Sequence, residues 1–140
     1  MSTILIAASG LLALVACAGP AVEPTWIMVI ESGPAEEGFI TYADTASIRK
    51  SGNNTVRMVS MIDSAVADDV ARDRHFVSWK DTWEYDCQNK MQRPRQYTEY
   101  SGRMGTGQQM FNQRVPTFVW LNVPPESVGE KLWQIACGQQ

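Results

Sequence analysis

Residues 77–87 carry the most regular pattern in the chain. Apolar and polar side chains alternate there, with Asp81 as the only exception. The apolar positions are Val77, Trp79, Trp83, Tyr85 and Cys87, and the polar positions are Ser78, Lys80, Thr82, Glu84 and Asp86. Successive side chains of a strand point to opposite faces of a sheet. The pattern therefore predicts a strand with one face on a core and the other face in water.

Other strands are predicted on both sides of this segment. Runs of β-branched and aromatic residues, separated by turn-forming residues, indicate where each strand begins and ends. The predicted strands are 26–30, 38–42, 55–62, 96–101 and 108–113, with a further apolar run at 118–123. Between them, residues 44–50 are expected to form one helical turn, and residues 63–74 a surface loop or a short helix.

Signals for a helix occur only near the C-terminus. Ser127 and Glu130 have the spacing of a capping box, and Gly138 is placed to end the helix. One helical face would carry the apolar residues Val128, Leu132, Ile135 and Ala136. Together these elements predict an α+β fold, in which a single antiparallel sheet of about six strands is packed by a C-terminal α-helix.

The N-terminus has the features of an export signal. Residues 4–16 form an uncharged apolar run that is shorter than the roughly 20 residues needed to cross a bilayer. Residues 14–17, Leu-Val-Ala-Cys, match the pattern at which bacterial lipoprotein signals are cut and lipidated. We predict a signal peptide over 1–16, lipid attachment at Cys17, a tether over 17–24 and one domain over 25–140. Because residues 1–3 lack the usual basic residue, an ordinary secretory signal with Cys17 as a free thiol stays the alternative.

The two remaining cysteines, Cys87 and Cys137, form the only other pair. In an oxidising envelope they are most simply a structural disulfide. This bond would attach the last turn of the helix to the alternating strand. For a closed loop of about 50 residues, the chain-entropy model gives a stabilisation of about 4 kcal/mol.

The charge of the chain argues against a nucleic-acid partner. The formal net charge is −3, both signs are mixed along the sequence, and no basic stripe is present. The partner that the N-terminal segment predicts is the lipid bilayer, reached through Cys17. Residue 18 is alanine rather than aspartate, which is typical of lipoproteins sorted to the outer membrane.

A catalytic or metal-binding role has weak candidates. His75 is the only histidine, whereas zinc sites normally use several His or Cys ligands. Ser47 and Lys50 match an S-x-x-K motif, but the partner motifs of that enzyme class are missing. We therefore predict no enzyme activity, no catalytic residue, no metal site and no cofactor.

Acidic pairs are also better explained without catalysis. Glu84 and Asp86 could imitate the two carboxylates of a glycosidase, but neighbours on an open sheet are more often a solvated row of charges. Asp68, Asp69 and Asp73 lack the glycine and the final glutamate of a calcium loop.

Five tryptophans are many for a chain of this size. They are Trp26, Trp79, Trp83, Trp120 and Trp133. Most fall on faces that we expect to point inward, so packing in the core is the preferred interpretation and an aromatic interaction patch is the alternative. Trp79 and Trp83 are expected to form the core beneath the helix.

Several short segments, taken together, resemble a known family. They are residues 39–44 with 47–48, residues 78–80 with 84–87, residues 100–101 with 104–105 and Gly107, and residues 125–127 with Leu132 and the final Cys137-Gly138. In this order they are similar to the surface-adhesin protein E family of envelope proteins, over about residues 26–138. The Glu-Tyr-Asp-Cys segment and the terminal Cys-Gly are the most specific parts.

The resemblance implies both a fold and a function. The family fold is a multi-stranded antiparallel sheet with a C-terminal helix and one disulfide. The best-known relative binds host matrix and serum proteins, and the family also implies a homodimer and a haem contact as further hypotheses. We predict a non-enzymatic outer-membrane lipoprotein that binds macromolecular partners at the cell envelope. The alternatives are a small-ligand carrier or small enzyme that uses a cleft between sheet and helix, and an unanchored periplasmic protein.

Overall fold

The computed structural model describes residues 19, 21–34, 36–68, 76–116 and 119–138. The strands are β1 (Trp26–Ser32), β2 (Phe39–Lys50), β3 (Thr55–Asp68), β4 (Phe76–Asp86), β5 (Met91–Tyr100), β6 (Gln109–Arg114) and β7 (Leu121–Asn122). A 3-10 turn covers Arg103–Gly105, and the helix α1 covers Val128–Gly138. Within these ranges, no helix has the length and the apolar character that a membrane span requires.

The strands form one antiparallel sheet in the order in which they occur in the chain. Each of β1 to β5 pairs with the next strand in the chain, and the short β7 pairs with the beginning of β5. The helix α1 packs across β1 to β4 on one face of the sheet. The predicted α+β fold is therefore confirmed. We call the face under α1 the helix face and the other side the far face.

The helical turn predicted for residues 44–50 is wrong, because these residues continue β2. The pairing of β2 with β3 shifts between Asp44 and Arg49, which marks a bulge. Inside the bulge, Ser47 Oγ accepts a hydrogen bond from Val59 N at 2.8 Å and donates one to Asp44 O at 2.7 Å. Short polar side chains that bond to the nearby backbone are common in both turns and bulges. The polar residues of 44–50 therefore suggested a turn although they form a bulge within β2.

Two other boundaries differ from the prediction. Strand β3 continues to Asp68, so residues 63–68 are not a loop or a helix, while residues 69–74 lie outside the described residues. Strand β5 begins at Met91 and contains Pro94 at a shift in its pairing with β4. Proline is tolerated at such a shift because no regular ladder bond is needed there. Residue 118 lies outside the described residues, and within 119–123 the strand β7 contains only Leu121 and Asn122.

The helix α1 is capped and attached as the sequence predicts. Ser127 Oγ accepts a hydrogen bond from Glu130 N at 3.1 Å, and the Glu130 carboxylate accepts one from Glu126 N at 2.7 Å. The disulfide joins Cys87, just after β4, to Cys137 in the last turn, with a Cα–Cα distance of 5.5 Å. Both ends of the helix are thereby held, which a helix of this length needs because it is marginal alone.

The core lies between α1 and the helix face. Its buried members are Ala43, Val56, Met58, Tyr85, Leu132 and Ala136. Trp83 and Trp133 pack against this cluster, and Trp133 Nε1 donates a hydrogen bond to Asp86 O at 2.9 Å. Trp83 therefore has the predicted role, whereas Trp79 lies outside the cluster.

The far face is less exposed than the alternation predicts. Ser78 and Glu84 are both buried, although each occupies a position that we expected to be in water. The turn Arg103–Gly105 covers one end of this face: Gly105 N donates to Ser78 Oγ at 2.9 Å, and Arg103 Nε and Met104 N donate to the Asp63 carboxylate at 2.8 and 2.7 Å. A loop that is remote in sequence therefore buries polar residues of β3 and β4.

Candidate functional site

The residues singled out in the sequence fall in different places. Cys87 and Cys137 form the disulfide, which has a structural role between β4 and α1. Cys17 and His75 lie outside the described residues. No group of three or more residues that could hold a metal ion occurs within the described part of the chain.

The structure does bring together a set of arginines on the far face. Arg57 of β3, and Arg93 and Arg95 of β5, lie around Glu84 of β4, and Arg114 of β6 lines the same depression as Arg57 and Arg95. Strand pairing accounts for this, because Arg57 and Arg93 are both opposite Glu84, and Arg114 is opposite Gln96. We call Arg57, Arg95 and Arg114, with Arg93 behind them, the arginine surface.

Glu84 is the centre of this surface. Its side chain is only 3% exposed, and its Oε2 lies 2.6 Å from Arg93 Nη2 and 3.9 Å from Arg95 Nε. Its Oε1 lies 3.3 Å from Arg57 Nε. The predicted solvated row of Glu84 and Asp86 is therefore wrong for Glu84, which is a buried counter-ion.

The pKa of Glu84 follows from these contacts. Burial alone would raise it, but hydrogen bonds from Ser51 and Arg93 and the charges of Arg93 and Arg57 outweigh burial and lower it. The carboxylate therefore stays ionised at neutral pH and holds the arginines in place.

The arginine surface keeps an excess of positive charge that faces solvent. Three guanidinium groups, those of Arg57, Arg93 and Arg95, lie within 3.9 Å of the single Glu84 carboxylate, and the side chain of Arg57 is 45% exposed. Arg114 adds a fourth positive charge at the same depression. Arg57, Arg95 and Arg114 line a shallow depression of about 300 Å³ together with Thr82 and Gln96. Trp120 stacks on Arg93, with its ring centre 4.3 Å from the Cζ of Arg93. Such an arrangement can bind carboxylates or other anions through paired N–H donors.

A cavity lies on the opposite side of the sheet, between α1 and the helix face. Its volume is about 230 Å³, and we call it the sheet–helix cavity. Its polar lining residues are Thr41, Ser60, Asp81, Tyr85 and Gln92, and the others are Ile62, Trp83, Val128, Gly129 and Leu132.

Two groups of this cavity have perturbed acidity. Burial raises the pKa of Asp81 from its ordinary 3.8 to about 7. Burial, and then the negative charge of Asp81, also raises the pKa of the Tyr85 hydroxyl. Tyr85 is therefore protonated throughout the physiological range, and Asp81 changes its charge within that range.

Sequence reasoning missed both sites for different reasons. The arginines come from three separate strands of the chain, β3, β5 and β6, and are brought together only by the register of strand pairing. For Asp81 a signal was present, since it is the single acidic residue among the apolar positions of 77–87. A polar residue on an otherwise apolar face indicates either a paired group in the core or a binding site.

The sequence matches the model of the family described as surface-adhesin protein E over residues 26–138. The chain belongs to the surface-adhesin protein E family. The resemblance inferred from the short segments is therefore confirmed, and it covers the same residues, 26–138. Among curated proteins, a search finds no significant match.

Solved structures of Haemophilus influenzae protein E have the same fold. One is 14% identical, with a TM-score of 0.57 over 86% of this chain and 91% of that chain. A second crystal form is 17% identical, with a TM-score of 0.55 over 71% of this chain and 80% of that chain. Protein E from a non-typeable strain is 16% identical, with a TM-score of 0.53 over 83% and 86% of the two chains. At these identities the likeness concerns the fold.

Membership of the protein E family narrows the location and the class of protein. A surface-adhesin family implies a place at the cell envelope or cell surface, and adhesin-like binding of partners there. Surface adhesins are typically non-enzymatic.

Proposed function

We propose that this protein is an outer-membrane lipoprotein that binds an acidic segment of a partner protein through its arginine surface. The proposal assigns residues 1–16 to the signal peptide, Cys17 to lipid attachment, 17–24 to the tether and 25–140 to the binding domain. The observation that carries the binding role is the group of three arginines around a single buried carboxylate, with Arg114 as a fourth beside them in the same depression.

Charge complementarity supports an acidic partner. The whole chain has a formal net charge of −3, so a local surface with excess positive charge stands out against its surroundings. Guanidinium groups bind carboxylates in a two-pronged geometry, and such contacts direct specificity and association rate. A partner segment rich in Asp or Glu therefore fits this surface better than a neutral or basic one.

The position of the arginines also favours binding. On the far face, Arg57 and Arg114 are exposed, and Glu84 beneath them fixes the guanidinium of Arg93. Residues that are held in place before binding lose less conformational entropy when the partner arrives. The arginine surface thus contains one guanidinium that is held in place, that of Arg93, and exposed guanidinium donors on Arg57 and Arg114.

The binding role can be tested with a defined probe. The full chain in lipid nanodiscs would be passed over an immobilised decapeptide of glutamate and over its glutamine counterpart. We expect binding to the glutamate peptide only, and a loss of about tenfold in affinity in the triple variant R57Q/R95Q/R114Q, because three charged donors are removed. Binding should also weaken as salt is raised.

A matched control removes the same charge elsewhere. The variant R49Q/K50Q/K131Q also loses three positive charges, at exposed positions outside the depression. It should bind the glutamate peptide like the unchanged chain. Equal weakening in both variants, or no binding of the glutamate peptide at all, would refute the role of the arginine surface. A homodimer stays a prediction beside this role.

A further inference from the structure

The sheet–helix cavity contains hydroxyl groups that lack hydrogen-bond partners. Thr41 Oγ1 and Tyr85 Oη are both buried and unpaired within the described residues, and both residues line the cavity. Tyr85 is 0% exposed and Thr41 is 2% exposed. A buried hydroxyl without a partner loses its hydrogen bonds to water and gains none, so native structures rarely keep two of them on one cavity wall. The two unpaired hydroxyls of Thr41 and Tyr85 indicate a ligand with polar atoms.

The cavity also contains an acidic group without a counter-charge. Within the described residues, burial is the only influence on the acidity of the Asp81 carboxylate, with no hydrogen bond or opposite charge beside it, and Asp81 lies on the same face of β4 as Tyr85. The cavity-lining groups around it are neutral: Thr41 from β2, Ser60 and Ile62 from β3, Gln92 from β5, and Val128, Gly129 and Leu132 from α1. On β5, Tyr97 is paired directly with Asp81, and the buried Glu99, two residues further along the same face, is a second acidic group. A positively charged ligand would supply the counter-ion that the Asp81 carboxylate lacks.

We propose that the sheet–helix cavity binds a small organic amine, with its ammonium group at Asp81 and its apolar body against Trp83 and Leu132. The hydroxyl oxygens of Thr41 and Tyr85 are available to accept further hydrogen bonds from the same ligand. An aromatic ring such as Trp83 also attracts a cation. An anionic ligand is disfavoured, because no lining residue is basic.

The size of the cavity limits the ligand. Engineered cavities of about 150 Å³ hold a benzene molecule. A volume of about 230 Å³ is therefore enough for one ring with a short amine chain. This ligand class is smaller than a peptide segment, and the inference does not depend on the arginine surface of the far face.

The raised pKa of Asp81 makes the affinity for an amine depend on pH. Because the pKa of Asp81 is raised to about 7, an ammonium ion must compete with a proton at lower pH. Affinity for the amine should fall about tenfold for each pH unit below that pKa, and should level off above it.

The experiment compares three probes of similar shape. The full chain in lipid nanodiscs, free of detergent, would be titrated by calorimetry with 2-phenylethylamine, 2-phenylethanol and 3-phenylpropionate at pH 8. We expect the amine to bind at least about tenfold more tightly than the other two. D81N should abolish this preference, and Y85F should weaken amine binding.

Two control variants make the result specific. E31Q removes an exposed carboxylate that lies outside the cavity, and it should bind the amine like the unchanged chain. R57Q/R95Q/R114Q should also keep amine binding, whatever happens to binding of the glutamate peptide. If the alcohol binds as tightly as the amine, if D81N keeps the preference, or if none of the probes binds, the cavity is not an amine site.

Discussion

Nε and Nη2 of Arg93 lie 2.7 and 2.6 Å from the same carboxylate oxygen of Glu84, in a side chain that is almost fully buried. A buried charge is stable only when it is paired and hydrogen-bonded. This contact therefore links the packing of the far face to the charge that the arginine surface presents to solvent.

Replacing Glu84 with glutamine should destabilise the domain. The variant E84Q leaves the nearby guanidinium groups without their counter-ion, and we expect a loss of about 2 kcal/mol in the free energy of unfolding at pH 7. Urea denaturation measures this loss. R114Q, which removes an exposed arginine of the same surface, should change stability by less than about 0.5 kcal/mol.

The loss in E84Q should depend on pH. The folded state lowers the pKa of Glu84 below its ordinary 4.5, so the contribution of Glu84 to stability is present above that pH. It is lost as the pH falls through the lowered pKa of the folded state. The stabilities of the unchanged chain and E84Q should therefore converge in acid. A difference that stays constant down to pH 2 would contradict this account.

Two aspartates of β4 should respond in opposite directions to the same substitution. The pKa of Asp81 is raised to about 7, so its ionisation destabilises the folded state as the pH rises from about 4 through 7. D81N should therefore stabilise the domain at pH 8, by about 1–3 kcal/mol, and should have little effect near pH 4. Thermal unfolding at the two pH values measures this.

Asp86 provides the matched comparison. Its carboxylate accepts hydrogen bonds from Gln88 N, Asn89 N and Asn89 Nδ2 at 2.9, 2.9 and 2.8 Å, and these outweigh burial and lower its pKa. D86N should therefore destabilise the domain at pH 8, because asparagine is a weaker acceptor in this turn. A stabilising effect of both substitutions would show that net charge, and not the local contacts, controls stability.

The disulfide between Cys87 and Cys137 should contribute as a unit. C87S and C137S should each lower the free energy of unfolding by a similar amount, about 4 kcal/mol in the chain-entropy model. The double variant should lose little more, because the same bond is already absent. Calorimetric melting of the three variants measures this, and additive losses would contradict a shared bond.

The sequence was sufficient for the parts of the fold that depend on local pattern. The alternation of 77–87, the capping residues Ser127 and Glu130, and the pair of cysteines all predict features that the structure contains. The bulge at Ser47 and the strand through Pro94 were missed because turn-forming residues also occur at irregular positions of long strands.

The arginine surface shows why the candidate site was harder to predict than the fold. Arg57 and Arg114 are distant in sequence. They line the same depression only because β3, β4, β5 and β6 pair in one register. A shift of one residue in any pairing would place these side chains on the other face. Register depends on the packed core and on the bulges, so local composition carries little information about such a surface.

The predicted lipid anchor at Cys17 has a direct test in the mass of the mature N-terminus. If the signal peptide is cut before Cys17, the first residue should be a cysteine that carries a diacylglycerol and an acyl chain, since two or more chains are needed for stable attachment. C17A should leave the membrane fraction or remain unprocessed, whereas C87S, which removes a cysteine of the disulfide, should stay in the membrane fraction. A mature chain that begins with an unmodified Cys17 would exclude the anchor and would favour the unanchored periplasmic protein.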